Sequence, residues 1–354
     1  MRLCLIGDFS GTPDEGMKNV SRTTYSLLSR RHDVIAVTSR DILKPQIQAR
    51  IRAFNPQIIH YLHGPTIKSL ILLKYLKMLT SEAGHSVKTV VSATRPYFSK
   101  ITERFVPYLK PDLVLTQSEK FEKFFKANGC AVTFFPNGVD LSKFAPADAD
   151  EKATLRKQLN LPEDKKIVLH VGHIKANRKL NFFMDVQKKD GVQVVVAGGT
   201  HEKADKDLKN ELVKNNIIVV HEYLKDISVL YKAADLYVFP IEDGITDMPD
   251  SYNQIGAIDL PLSILEAMGC NLPVITTRFG ALPRLFNPQD GFVFAQRKGL
   301  IMDLIQAMPL NKDAGTRNMV EPLDWNQVIE GLERRYRMLI KPSDIGFGYS
   351  IQPQ

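Results

Sequence analysis

The segment PNGVDLSKFAPADADE, Pro136 to Glu151, separates two halves of the chain that read alike. Before it, the short apolar runs LCLIG, DVIAVT, QIIHYL, TVVSA, DLVLT and VTFFP are spaced by stretches with a 3.6-residue apolar period. After it the pattern restarts with KIVLHVG, VQVVVAG, IIVVH, DLYVFP and PVITT. Apolar runs alternating with helical stretches predict parallel strands joined by crossover helices. The expected architecture is therefore α/β, built twice, as two Rossmann-like doubly wound domains. The Pro/Asp/Ala-rich, apolar-poor residues Ala145 to Glu151 mark the linker. This places an N-terminal domain over 1–150 and a C-terminal domain over 151–322. The helix DWNQVIEGLERRYRML, Asp324 to Leu339, carries Val328, Leu332, Tyr336 and Leu339 at helical spacing. Residues 323–340 are therefore expected to pack one face back across the domains, and the tail 341–354 has no such pattern.

A chain of 354 residues is long for one core and comfortable for two. With 44% hydrophobic and 24% charged residues, the composition is that of a globular chain. Cys4, Cys130 and Cys270 are few and far apart, with no CxxC or Cys/His spacing for a metal. That usage fits a reducing, cytoplasmic setting, and MRLCLIGDF reads as a buried strand rather than a leader. The most apolar helix, Ile67 to Leu79, is interrupted by lysines and is not a membrane span. The net charge of +8 attracts phosphates and anionic surfaces without choosing among them. No zinc-finger spacing, basic heptad or aromatic RNA-binding strand is present, so nucleic acid is not the expected partner. Contact with the inner face of a membrane remains open, through the lysine-bearing helix.

Two doubly wound domains facing one another form a central cleft at the carboxyl ends of their strands, where such folds bind ligands. The dinucleotide fingerprint GxGxxG is absent after the first strand, where LIGDFSGTPDEG stands instead, which argues against a nicotinamide oxidoreductase. In IDLPLSILEAMG, Pro261 suits the first turn of a helix and Asp259 the position of a cap or anion-facing side chain. Free amides near Leu262, Ser263 and Ile264, at the positive end of the helix dipole, would accept a diphosphate. Glu266 lies one turn below, on the face of Leu262 and Ser263, roughly 6 Å along the axis. A carboxylate there can receive both hydroxyls of a ribose; capping a neighbouring loop is the competing reading.

Three segments in order, PNGVDLSKF, VGHIKANRKLNFF and LPLSILEAMGCNLPVITTRFGALPRLF, resemble the retaining glycosyltransferases of family 4, which have the GT-B fold. The resemblance runs over nearly the whole chain. It implies transfer of a sugar from a nucleotide diphosphate sugar, with retention at the anomeric carbon, to a glycan, lipid-linked or small-molecule acceptor. No metal or other cofactor is required. The C-terminal domain would hold the donor and the N-terminal domain the acceptor.

By that resemblance, Glu266 matches the second acid of the family's Glu-x7-Glu motif and holds the ribose. The first acid falls on Ile258, so a sugar-facing carboxylate would be Asp259. The donor site further includes Gly172, His173, Arg178, Lys179, Leu262 and Ser263. Arg178 would fork onto the diphosphate; a solvated basic turn is its alternative. PDEGMKNVS matches the family's glycine loop, which places Gly16 and Met17 against the acceptor or phosphate; Gly16 could equally be a helix-entry glycine.

Where many relatives have a cleft histidine, this chain has Thr94 and Arg95. His60 and His63 end the strand of QIIHYLHGP; either could face the cleft or serve the scaffold. The acid-bearing stretch Ile241 to Ala257 reads as a loop at the cleft, without the alternation of a calcium loop. The departures at Ile258 and His173 and the missing histidine leave a competing expectation, a degenerate protein that binds a nucleotide or glycan without turnover.

Overall fold

The computed structural model describes residues 1–10, 16–81, 86–94, 96–175, 178, 180–199, 205–240, 259–278, 280–289, 291–295, 298–307 and 314–340. The first half folds as β1 (Arg2–Gly7), α1 (Gly16–Ser29), β2 (Asp33–Thr38), α2 (Pro45–Phe54), β3 (Ile58–Tyr61), α3 (Ile67–Thr80) and β4 (Lys88–Ala93). A 3₁₀ segment (Thr102–Tyr108), β5 (Leu113–Thr116), α4 (Glu119–Ala127) and β6 (Val132–Phe134) complete it. Helix starts follow local chemistry: Thr66 and Ser69 form a reciprocal capping box at α3, and Ser118 caps α4.

The second half begins with α5 (Ala149–Gln158), β7 (Lys166–Val171), α6 (Phe182–Gln187), β8 (Val192–Ala197), α7 (Lys206–Lys214) and β9 (Ile218–Val220). It continues through α8 (Ser228–Ala233), β10 (Leu236–Phe239), α9 (Leu262–Gly269), β11 (Val274–Thr277), α10 (Leu282–Leu285), β12 (Phe292–Ala295), α11 (Lys298–Ala307) and α12 (Thr316–Val320). The last helix, α13 (Trp325–Ile340), follows a short 3₁₀ turn.

All strand pairs are parallel. The first sheet runs β2-β1-β3-β4-β5-β6 and the second β12-β11-β10-β7-β8-β9. Parallel strands covered by helices on both faces are buried on both sides, which is why they read as unbroken apolar runs rather than as alternation. In each sheet the direction of strand addition reverses once, between β1 and β3 and between β7 and β10, and ligands bind outside the carboxyl ends at such points. Strand β12 was not anticipated from the sequence. It is a four-residue edge strand reached through the one-turn helix α10, too short to show a period.

The two cores divide earlier than the composition change at Ala145 to Glu151. Val139 and Phe144 are already buried among Tyr231, Leu265 and Met268 of the second half. Within the expected linker, Asp148 accepts the Glu151 amide and starts α5 at Ala149. The chain crosses between halves twice, and the crossings are hydrogen-bonded side by side: Val139 N–H donates to Leu323 O at 2.9 Å and Trp325 N–H to Val139 O at 3.1 Å. A Cβ on Gly138 would lie 2.6 Å from the Trp325 ring, so only glycine lets the two crossings approach. Beyond that point α13 leaves the second half and buries Trp325, Val328, Ile329, Leu332 and Tyr336 against Leu3, Leu5, Ile58 and Val90 of the first sheet.

Candidate functional site

In the second half the site grows from the β10–α9 unit. Pro261 is the N-cap of α9 rather than its first helical residue, and no side chain caps the helix there. Proline's fixed φ pre-sets the chain for helix entry without supplying a cap, which leaves first-turn amides for another acceptor. Asp259, expected at the cap or facing an anion, stands two residues before the N-cap. It is buried, and its backbone carbonyl accepts the Ala281 N–H at 2.8 Å. Gly280, at φ +53°, presses on the same carbonyl, so the turn after β11 fixes where α9 begins.

Glu266 lies on the face of Leu262 and Ser263, one turn down. The hydroxyl of Tyr231, wholly buried on α8, donates to Glu266 Oε2 at 2.7 Å. Glu266 is half-buried by surface area yet enclosed by its neighbours, and that burial pushes its carboxyl up; the Tyr231 bond and the charge of Lys143 oppose the shift. Burial also raises the Tyr231 phenol well above its ordinary value, so it serves as a neutral donor.

Tyr237 on β10 is where several residues expected at the donor come together. Its hydroxyl donates to Val171 O at 3.2 Å and is hydrogen-bonded to the Ser263 side chain; Glu266 and Arg178 both act on it electrostatically. Desolvation raises its phenol well above its ordinary value, so it too is neutral. Arg178 is 6% exposed and its charge reaches His170, at the end of β7. The ring of His170 is fully buried, with Nδ1 2.9 Å from Val238 O and Nε2 without a hydrogen-bond partner; burial and the Arg178 charge bring its pKa down to about 4. A Cβ on Gly172 would stand 3.0 Å from that Nε2. The Gly172 amide itself donates to Ala197 O at 2.9 Å and so is committed to the scaffold. His173 is half-buried, and its carbonyl accepts the Lys175 amide at 3.1 Å in the turn leading to Arg178.

From the first half, α1 begins at Gly16 opposite the start of α9: a Cβ on Gly16 would lie 3.6 Å from Leu262 Cδ1. Leu262, expected at the donor, turns its side chain across to pack against the first half's core. Met17 is half-buried, and its carbonyl accepts the Ser21 hydroxyl at 3.0 Å. His63 Nε2 accepts the Asp8 amide at 2.9 Å and lies 3.1 Å from Ser21 Oγ. With its ring pinning the β1–α1 connection to β3, and burial bringing its pKa down to about 4, it holds the scaffold as a neutral group. His60 is wholly buried beneath α13, bonded to Tyr336 and Ser92.

Sequence reading overlooked Tyr231, Tyr237, His170 and Lys18. A buried tyrosine or histidine inside an apolar strand is itself a signal, because its polar atom needs a partner in the fold. Lys18 is 4% exposed in the first turn of α1; against the cost of burial, the bonds from Ser10 bring the Asp8 carboxyl down, and the charges of Lys18 and Arg40 add to them. Ile258, Lys179, Arg95, the stretch 241–257 and the tail 341–354 lie outside the described residues. Among the described residues no group of His, Cys, Asp or Glu could hold a metal ion, and no helix is long and apolar enough to cross a membrane.

Two doubly wound domains set face to face define the GT-B architecture of glycosyltransferases. Its C-terminal part is more specific: residues 151–314 match the family profile described as Glycosyl transferases group 1. A sulfoquinovosyl transferase of Arabidopsis thaliana is 26% identical over 311 residues, 80% of this chain; the chain spans little more than half of that relative's length, 57%. A galactosyltransferase of Escherichia coli, named for UDP-Gal and a GlcNAc-diphosphoundecaprenol, is 24% identical over 87% of this chain and 73% of its own. HepE of Anabaena, solved with UDP and glucose, superposes with a TM-score of 0.70 at 15% identity, over 96% of this chain and all of that one. Sucrose-phosphate synthase from Thermosynechococcus elongatus gives 0.72 at 17% identity, over 96% and 98%. These solved structures are like this chain in fold.

Proposed function

We propose that this protein transfers a sugar from a nucleotide diphosphate sugar to a glycan, lipid-linked or small-molecule acceptor, with retention at the anomeric carbon. The observation that carries the reading is the meeting of Arg178, Ser263 and Glu266 around Tyr237, beneath a helix start that no side chain caps. A relative named for UDP-Gal and a structural neighbour solved with UDP and glucose support a nucleotide diphosphate sugar as donor.

The diphosphate lies against the α9 amides of Leu262 and Ser263, where the helix dipole favours negative charge. Arg178 forks onto it and stabilises the charge that grows on the leaving group. Glu266 receives the ribose hydroxyls. Tyr231 already holds Oε2, which fixes the carboxylate's orientation and leaves Oε1 facing the sugar. Asp259 takes the side of the transferred sugar, and the surface of Gly16 and Met17 receives the acceptor. His63 supports that surface from behind through Asp8 and Ser21. The acceptor attacks from the face that the diphosphate leaves, its proton passing to the departing phosphate, and closure of the cleft keeps water out. The diphosphate's charge is assigned to Arg178 and the helix start with no metal ion.

The test is release of nucleotide from a panel of UDP, GDP and ADP sugars offered with soluble and lipid-linked acceptors. Acceptor-dependent release from one donor class, persisting in a chelator, is the expected result. Binding of a nucleotide with release from no donor would instead assign the chain to binding without turnover.

A further inference from the structure

We infer that the outer face of α3, together with the adjoining segment Tyr97–Lys110, docks the protein on an anionic lipid bilayer. Along α3 the residues Ile71, Tyr75 and Met78 recur on one side of the helix and are exposed, Met78 to 72%. Leu70, Leu73 and Leu76 on the opposite side fill the core. The 3₁₀ segment packs beside this helix, where Lys74 Nζ donates to Tyr108 O at 3.0 Å. It adds Ile101, Phe105 and Tyr108, the last 74% exposed, to the same apolar surface. Large apolar and aromatic side chains gathered on one face, rather than scattered singly, mark an interaction surface.

The charges around the patch choose its partner. Lys68 and Lys74 flank the apolar stripe on α3; Lys100, Arg104 and Lys110 do so on the neighbouring segment. Residues 67–80 contain no acid, and 97–110 contain only Glu103. Basic side chains bordering an apolar and aromatic stripe match the boundary between anionic headgroups and acyl chains, where the stripe buries its carbon and the ammonium groups meet phosphate. A protein partner of ordinary composition would not require so one-sided a charge.

The patch also reaches the mouth of the cleft. Tyr97 pairs with Thr66, the cap of α3, at the carboxyl ends of β3 and β4. If the transfer proposed above holds, a bilayer-borne acceptor would be presented beside Gly16; docking itself does not depend on that reading.

The test is co-sedimentation of the full chain with vesicles of phosphatidylcholine mixed with phosphatidylglycerol, and of phosphatidylcholine alone. Wild type should bind the mixed vesicles at low salt and release as salt screens the charges. A triple Ile71→Ser, Met78→Ser, Tyr108→Ser variant and a double Lys68→Glu, Arg104→Glu variant should each partition at least about tenfold less. Both should keep the wild-type melting temperature and nucleotide affinity, which separates loss of docking from loss of the fold or of the donor site. Equal binding of variant and wild type, or no binding by wild type, would overturn the proposal. So would a concentration-dependent dimer abolished by the triple variant, which would assign the patch to a second copy of the chain.

Discussion

The hydroxyl of Tyr231 on α8 donates to Oε2 of Glu266 on α9 at 2.7 Å, so the carboxylate proposed to hold ribose is oriented before any ligand arrives. Glu266→Gln preserves a carbonyl oxygen for Tyr231 but removes the buried charge. Because burial raises the carboxyl's pKa in the folded chain, the folded state holds the proton more tightly than the unfolded one. Stability from this group is full in acid and is lost as pH rises through the folded value. The glutamine variant should therefore melt above wild type at neutral pH, with the gap closing in acid, while its affinity for nucleotide falls. A variant that binds nucleotide as well as wild type would remove Glu266 from the donor site.

Arg178 has an effect that reaches beyond the ligand. Its charge helps hold the His170 pKa at about 4, so Arg178→Ala should let that imidazole titrate higher, a change visible by NMR without substrate. Transfer should fall by about 10²–10³ in kcat, the usual cost of removing one charge-stabilising donor. Arg178→Lys keeps the charge and loses the planar fork, so its rate should lie between the two. Equal rates for wild type and alanine variant would exclude contact with the diphosphate.

Gly16→Ala separates ligand approach from packing. The added methyl meets Leu262 Cδ1 at 3.6 Å, an ordinary contact, and alanine favours the helix that begins there. Stability measured by urea titration should stay within about 0.5 kcal/mol of wild type. KM for donor or acceptor should rise several-fold, because the methyl stands where a ligand would approach the α1 backbone. Unchanged kinetics would make Gly16 an ordinary helix entry.

The strands were legible in the sequence because burial on both faces writes itself as an apolar run, as in KIVLHVG, and a single phase of that pattern suffices. β12 escaped because four residues carry no period. The early division of the cores escaped for a different reason: Val139 and Phe144 are isolated apolar residues in a polar stretch, and only the tertiary fold supplies their partners. The site divides the same way. The interval from Ser263 to Glu266 follows from helical geometry, whereas the contacts from Tyr231 and Tyr237 join elements distant in sequence. Leu262 shows the limit of placing a residue by helix face alone, since it starts a helix of the second half while its side chain packs on the core of the first.

His60 Nδ1 meets Tyr336 Oη at 2.6 Å, tying α13 to the first sheet across 276 residues of sequence. Tyr336→Phe would leave that buried nitrogen without its partner and should cost about 1–3 kcal/mol. Burial holds His60 at about 3, and His63 and His170 at about 4, against 6.5 for the free side chain. With folded values below the unfolded one, the unfolded chain takes up protons first as pH falls. Stability present above about pH 6.5 is therefore lost progressively toward pH 4. Each histidine contributes on the order of 2 kcal/mol of that loss by pH 5. His60→Gln should remove one of these contributions and flatten the fall of the urea midpoint with pH. A variant whose midpoint declines as steeply as wild type between pH 6.5 and pH 4 would show that His60 is not held neutral in the folded chain.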